Sequence, residues 1–388
     1  MNVYNCICYI NITYSLHLVY NCQFSYKYLK FSNICLDNAH VSLYHGNVIV
    51  YIYIIRAQGD ATLVTLKDIA TICNVSVATV SRALNGQSEV NGNTAKRIRR
   101  IAREMGYLPN AAARTLKTNR SHNIGILYED EIHHEYFSLL IDSIRNSAEK
   151  KGYDITFLHK STNTSYYEHA RYRGLDGIVI LQAAFHTPEI MQLAGSDLPC
   201  VAIDYEYECC SCVVSDHYES MNQLVRYAYD KGHRKIAFVH GQSGYITQQR
   251  VNAFYKSCAT LGITVPAEYI RPAAYHDPGS ASTETKYLLS LDERPTCILY
   301  ADDYSCLGAL TQLERSGLNV PDDICIAGYD GIMLSTVLRP KLTTYRQDVQ
   351  KKGETAIELL IEGIESPAEE RPHRIVTVSG ALQPGGTL

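Results

Sequence analysis

From Ser121 onward, short apolar runs alternate with amphipathic stretches. The runs are "NIGILY", "DITFLH", "DGIVIL", "PCVAID", "KIAFVHG", "CILYAD" and "ICIAGYD". Between them, stretches such as 136–151, 218–231 and 247–261 space their apolar residues as a helix does. Uninterrupted apolar strands separated by helices predict parallel sheets buried on both faces. The number of units over residues 121–388 predicts two doubly wound lobes, an α/β core.

Upstream the period is helical only. Leu66, Ile69, Ala70 and Cys73 form one apolar helical face, with Thr65 as N-cap and Asp68 in the first turn. A second helix starts after Ser76, turns Val80, Ala83 and Leu84 inward, and stops at Asn85-Gly86. A third starts near Asn93, with Ile98 and Ile101 inward and Lys96, Arg97, Arg99, Arg100 and Arg103 outward. Two short helices joined by a tight turn and braced by a third follow the helix-turn-helix plan, an all-α headpiece. Such a piece reads either as a DNA reader or as a three-helix protein-binding module.

Residues 1–62 fit neither pattern. They hold nine of the 30 tyrosines and four of the 13 cysteines, and no period persists. The start lacks the basic region of a signal peptide, and the longest apolar run, Val48 to Ile55, is too short to span a bilayer. Tyr, Asn, Ile and Lys are what AT-rich noncoding DNA yields on translation. Gln58-Gly59-Asp60 can be encoded by a ribosome-binding sequence just upstream of codon 63. The expectation is a native start at Leu63 read as Met; the other reading is a disordered or membrane-touching extension.

Charge separates the remaining parts. Thr65–Arg120 holds ten Lys/Arg against three Asp/Glu, a net +7, whereas residues 121–388 carry −12 within a total of −4. A basic module on an acidic body points one end at phosphate. The cysteines are odd in number and irregular in spacing, and most lie in apolar runs, so they read as reduced, buried thiols of a cytoplasmic protein. His133-His134-Glu135 lacks the second histidine of a zinc-protease motif, since Ser138 stands there. With no phosphate-binding glycine loop and no nucleophile motif, neither an enzyme, a metal nor a cofactor is expected.

"TLKDIATICNVSVATVSRALNG", "GYLPNAAARTL" and the body that follows closely resemble the lactose/galactose repressor family of bacterial transcription regulators, over about residues 64–388. On the residues themselves, the N-terminal end of the second helix would enter the major groove. Arg82 suits a guanine edge, Val77 and Ala78 suit thymine methyls, and Ser81 lies on the same exposed side. Thr65, Ser76, Thr79 and Asn85 are placed for phosphates or caps. The resemblance implies a hinge within 110–120 that folds on operator DNA. Asn110 and Ala113 lie in it, Leu116 would wedge into a central base step of the minor groove, and Arg114 and Lys117 would sit near phosphate. It also implies a headpiece over 63–109 and a periplasmic-binding-protein-like core over 121–388. Lobe 1 is expected over 121–216 and 347–373, and lobe 2 over 217–346 and 374–388.

Ligands of such sheets bind beyond the carboxyl ends of the strands. Asp204, Asp302 and Asp330 each end an apolar strand, where they suit sugar hydroxyls or cap a helix. Asp303 reads as a cap. By resemblance Arg250 is the effector-binding arginine, Tyr136 and Phe137 are aromatic walls, and Tyr329 adds another. The expected protein is a repressor of carbohydrate-utilisation genes, a homodimer or tetramer on a palindromic operator, controlled by a sugar-like effector. The alternatives are a solute-binding protein or a sugar-processing enzyme without regulatory DNA binding.

Overall fold

The computed structural model describes residues 64–84, 89–107, 115, 120–129, 134–159, 164–183 and 186–388. The chain divides into two compact units between Asn110 and Ala111.

The first unit contains α1 (Leu66–Cys73), α2 (Val77–Leu84) and α3 (Gly92–Glu104). Thr65 and Asp68 close a reciprocal capping box at the start of α1, and Asn74 ends it in the left-handed region at φ 50°. The Ser76 hydroxyl accepts from the Thr79 amide at 3.1 Å, which fixes the entry of α2. Ile69, Cys73, Val80, Ala83 and Ile98 are completely buried together. This small core explains why three short helices hold one arrangement, since none is long enough to be stable in isolation.

The second unit has two lobes. Lobe 1 begins with β1 (Asn123–Tyr128), α4 (Glu135–Lys150), β2 (Asp154–Leu158), α5 (Tyr166–Tyr172), β3 (Gly177–Gln182), α6 (Pro188–Ala194), β4 (Cys200–Ile203) and β5 (Ser211–Ser215). The chain then crosses at Asp216 and continues as α7 (His217–Asp230), β6 (Ile236–His240), α8 (Tyr245–Thr260), β7 (Ile270–Pro272) and α9 (Pro278–Leu289). Lobe 2 goes on through β8 (Cys297–Tyr300), α10 (Asp303–Arg315), β9 (Cys325–Asp330), α11 (Met333–Val337) and β10 (Thr343–Arg346). A second crossing leads to α12 (Val349–Glu365) and β11 (Ile375–Val378) in lobe 1, and a third to β12 (Ala381–Gln383) in lobe 2.

The sheets run β11-β5-β4-β3-β1-β2 and β12-β10-β9-β8-β6-β7. All pairings are parallel except β10 with β12. The strand order is the same in both lobes, so β4 and β9 occupy matching places. Their residues are buried throughout, as the unbroken apolar runs require. The third crossing was expected near Arg374 but lies at Ser379-Gly380. Residues 375–378 pair with β5 in the register Ile375↔Cys212 to Val378↔Ser215, and their hydrogen bonds keep the segment in lobe 1.

Candidate functional site

In the headpiece, α2 buries Val80 and Ala83 and leaves Val77, Ala78 and Arg82 exposed, with Ser76 beside them. Thr79 and Ser81 are half-buried, and Thr65 is exposed at the start of α1. Thr79 is tied to Ser76 through their hydroxyls at 2.8 Å. Arg82 forms a surface ion pair with Glu89 at 3.4 Å. Such a pair is worth about 0–1 kcal/mol, so a base edge can displace it. Asn85, Asn110, Ala113, Arg114, Leu116 and Lys117 lie outside the described residues.

Two arginines of α3 do more than present charge. Arg97 donates to the Cys73 carbonyl at the end of α1, and Arg99 Nε donates to the Ala83 carbonyl of α2 at 3.0 Å. Helix C-termini leave carbonyls without intrahelical partners, and these guanidiniums satisfy two of them. Arg99→Ala should therefore lower headpiece stability by roughly 1–2 kcal/mol. Thermal melting of the headpiece signal would show it; an unchanged melting point would mean the bond contributes nothing.

In the core, a cavity of about 970 Å³ opens between the carboxyl ends of the two sheets. Lobe 1 contributes Tyr136, Phe137 and Asp204, and lobe 2 contributes Arg250 and Asp330. Asp204 and Asp330 follow or end the matching strands β4 and β9, and both are left-handed, at φ 56° and 99°. That conformation is unusual for a non-glycine residue and turns the carboxylates out of the strand direction.

Asp204 is the centre of a buried network. It accepts from the Ser215 amide at 2.9 Å, the Ser215 hydroxyl at 2.7 Å and the Tyr136 hydroxyl at 3.2 Å. The ammonium of Lys352, 1% exposed, reaches its two oxygens at 2.8 and 3.1 Å. Lys352 also donates to Tyr136, Ser215 and Gln347 at 2.6–2.9 Å. Because Gln347 accepts from Lys352, its amide nitrogen faces Asp330 Oδ1, at 2.7 Å. The network thus runs from lobe 1 through the second crossing into lobe 2.

Burial alone would raise the Asp204 pKa. The Lys352 ammonium outweighs burial, with help from the Ser215 hydrogen bond, and holds the carboxyl well below the usual range. Burial lowers the Lys352 pKa, against the pull of Asp204. Burial raises the pKa of Asp330, opposed by Arg250. His217, beside this network, is pushed down to about 3 by burial and then by Arg250. It stays neutral in the folded protein, while an unfolded chain takes up a proton below about pH 6.5. Stability should therefore fall as pH drops from about 6.5 towards 3, by about 1–2 kcal/mol for this group between pH 7 and 5. Urea denaturation at the two pH values, compared with His217→Asn, measures it; equal losses in both proteins would count against His217.

Two residues expected at the ligand lie behind the wall. Asp302 is the N-cap of α10. It accepts from the Ser305 amide at 2.8 Å, the Ser305 hydroxyl at 3.0 Å and the His276 amide at 3.0 Å, so its lone pairs point into the protein. Asp303, expected to cap, is instead buried and accepts from Thr344 Oγ1 and the Ile332 amide. Tyr329 supports the site from beneath: the Arg250 guanidinium lies 3.7 Å from its ring centre, and its hydroxyl donates to Ser220. Lys352, Gln347 and Ser215 escaped the sequence reading. The available signal was Lys352 itself, a cation on the helical stripe of Val349, Ala356 and Leu360 that α12 buries. The lobes also meet through the stacked rings of His134 and His276, 3.9 Å apart, and through Tyr205 and Tyr245 at 5.1 Å.

Residues 65–110 match the bacterial regulatory proteins of the lacI family, and residues 225–388 match a periplasmic binding protein-like domain. The chain belongs to the lacI family. It is a DNA-binding transcription regulator and not an enzyme. Among its relatives is the HTH-type transcriptional repressor PurR of Aliivibrio salmonicida (strain LFI1238), 28% identical over 317 residues, covering 80% of this chain and 95% of that one. Another is the probable HTH-type transcriptional repressor ExuR of Bacillus subtilis (strain 168), 29% identical over 311 residues, covering 79% and 93%. In fold this lacI-family chain is similar to the lac repressor dimer bound to operator and the anti-inducer ONPF. That likeness has a TM-score of 0.72 at 23% identity and covers 84% of this chain and 99% of that one. It is also similar to the regulator CelR in its cellobiose complex, with a TM-score of 0.61 at 21% identity, covering 84% and 100%. No described helix is long and apolar enough to cross a membrane.

Proposed function

We propose that the protein is a homodimeric repressor of carbohydrate-utilisation genes that reads a palindromic operator and responds to a small effector held between the core lobes. One observation carries the reading. A single chain joins a basic helix-turn-helix unit exposing Val77, Ala78 and Arg82 to a two-lobed core whose cavity is lined by Arg250 and Asp330. The relatives named as repressors and the sugar-bound neighbour support it. Two-fold symmetry of the dimer would set the half-site spacing. The α4 helix is the expected part of the dimer surface, and 110–120 the expected hinge, with Leu116 as wedge. Effector binding would shift one lobe against the other and alter hinge docking, for which a coupling of about 1–3 kcal/mol suffices.

Footprinting on the upstream intergenic DNA tests the proposal. The expected result is a two-fold symmetric protected site, lost or strengthened on adding an effector. Protection without symmetry would contradict the dimer, and indifference to every ligand that binds the core would contradict effector control.

A further inference from the structure

Resting on the reading of the cleft as the effector site, we infer that its ligand is a small polyhydroxylated carboxylic acid, whose carboxylate docks on Arg250 and the start of α8. Arg250 is 6% exposed and lines the cavity. Its Nη1 donates to the Ala301 carbonyl at 3.0 Å, but its Nε is buried without a partner, and no ion pair joins it to a described carboxylate. A buried guanidinium N–H without an acceptor is costly, and a carboxylate brought by the ligand supplies that acceptor.

The neighbouring backbone points the same way. The α8 helix begins at Tyr245 with Gly244 as its N-cap, and no side chain caps it. Its first-turn residues Tyr245, Ile246 and Thr247 line the same cavity. A helix start carries partial positive charge and amides without intrahelical acceptors.

The occupied carboxylates of the wall leave room for a single small anionic group. Lys352 already neutralises Asp204, whose oxygens are occupied by inward donors. Asp330 receives Gln347 on Oδ1, and burial raises its pKa. Arg250 feels Asp330 and Asp204 through space, but among the described residues no carboxylate comes within ion-pair distance of it. A phosphate dianion would bring excess negative charge next to Asp204 and Asp330, whereas a planar carboxylate matches a single guanidinium. Gln242, Thr247 and Tyr275 make the wall beside Arg250 polar, as a hydroxyl-bearing ligand requires.

Calorimetry on the full chain with matched compounds tests the inference: glucose, glucuronate, gluconate and glucose 6-phosphate, with galactose and galacturonate. At least one acid should bind tenfold or more tighter than its neutral parent and tighter than the phosphate ester. Arg250→Gln should erase that preference. A neutral sugar binding as tightly as its acid, a preference for the phosphate ester, or no binding by any acid would overturn the inference. Parallel anisotropy of labelled operator DNA separates the two claims. An acid that binds without changing DNA affinity supports the anion site but counts against effector control. A neutral sugar that shifts DNA affinity while the acids fail to bind overturns the anion site and leaves effector control standing.

Discussion

Replacing Lys352 with methionine should destabilise the core by about 3–5 kcal/mol, the usual cost of leaving one partner of a buried ion pair alone. Methionine has a similar length, so packing changes little and charge changes most. Without the ammonium, Asp204 keeps the Ser215 and Tyr136 hydrogen bonds but loses the cation that offsets its burial. Gln347 also loses the donor that fixes its amide orientation toward Asp330. Pairing the change with Asp204→Asn should recover most of the loss, because a neutral amide tolerates burial better than a carboxylate. Urea denaturation of the full chain reads both variants. A loss below about 1 kcal/mol for Lys352→Met would mean that Asp204 is not held as a buried anion.

If Arg82 reads a guanine in each half-site of a dimer, as proposed, Arg82→Ala should weaken operator binding by roughly 2–6 kcal/mol, from two bidentate pairings worth about 1–3 kcal/mol each. The side chain is exposed on α2 and pairs with Glu89 on the surface, so the headpiece core of Ile69, Val80 and Ile98 is untouched by the change. Binding to unrelated DNA should fall much less, since that rests mainly on phosphate contacts. An equal fall on specific and unrelated DNA would make Arg82 a phosphate contact rather than a base reader.

The parts legible in the sequence were those set by local pattern. Unbroken apolar runs announced the buried strands, and a carboxylate after such a run announced Asp204 and Asp330, because a strand end in this fold faces the cleft. The helix faces of the headpiece followed from spacing alone. What escaped depended on partners distant in the chain. Lys352 reaches an aspartate 148 positions away. Asp302 and Asp303 precede the same helix, and only the packing of α10 on β9 and β10 decides which one caps and which one is buried. The third crossing was missed because residues 375–378 are too short and too exposed to read as a strand until β5 pairs with them.

The most direct test of the central claim is a gel shift of the 63–388 chain on its own upstream intergenic DNA, in moderate salt with unrelated competitor DNA present. Saturable binding that survives the competitor and collapses with Arg82→Ala is the predicted result. Binding that the competitor removes, or that Arg82→Ala leaves intact, would contradict a sequence-reading regulator.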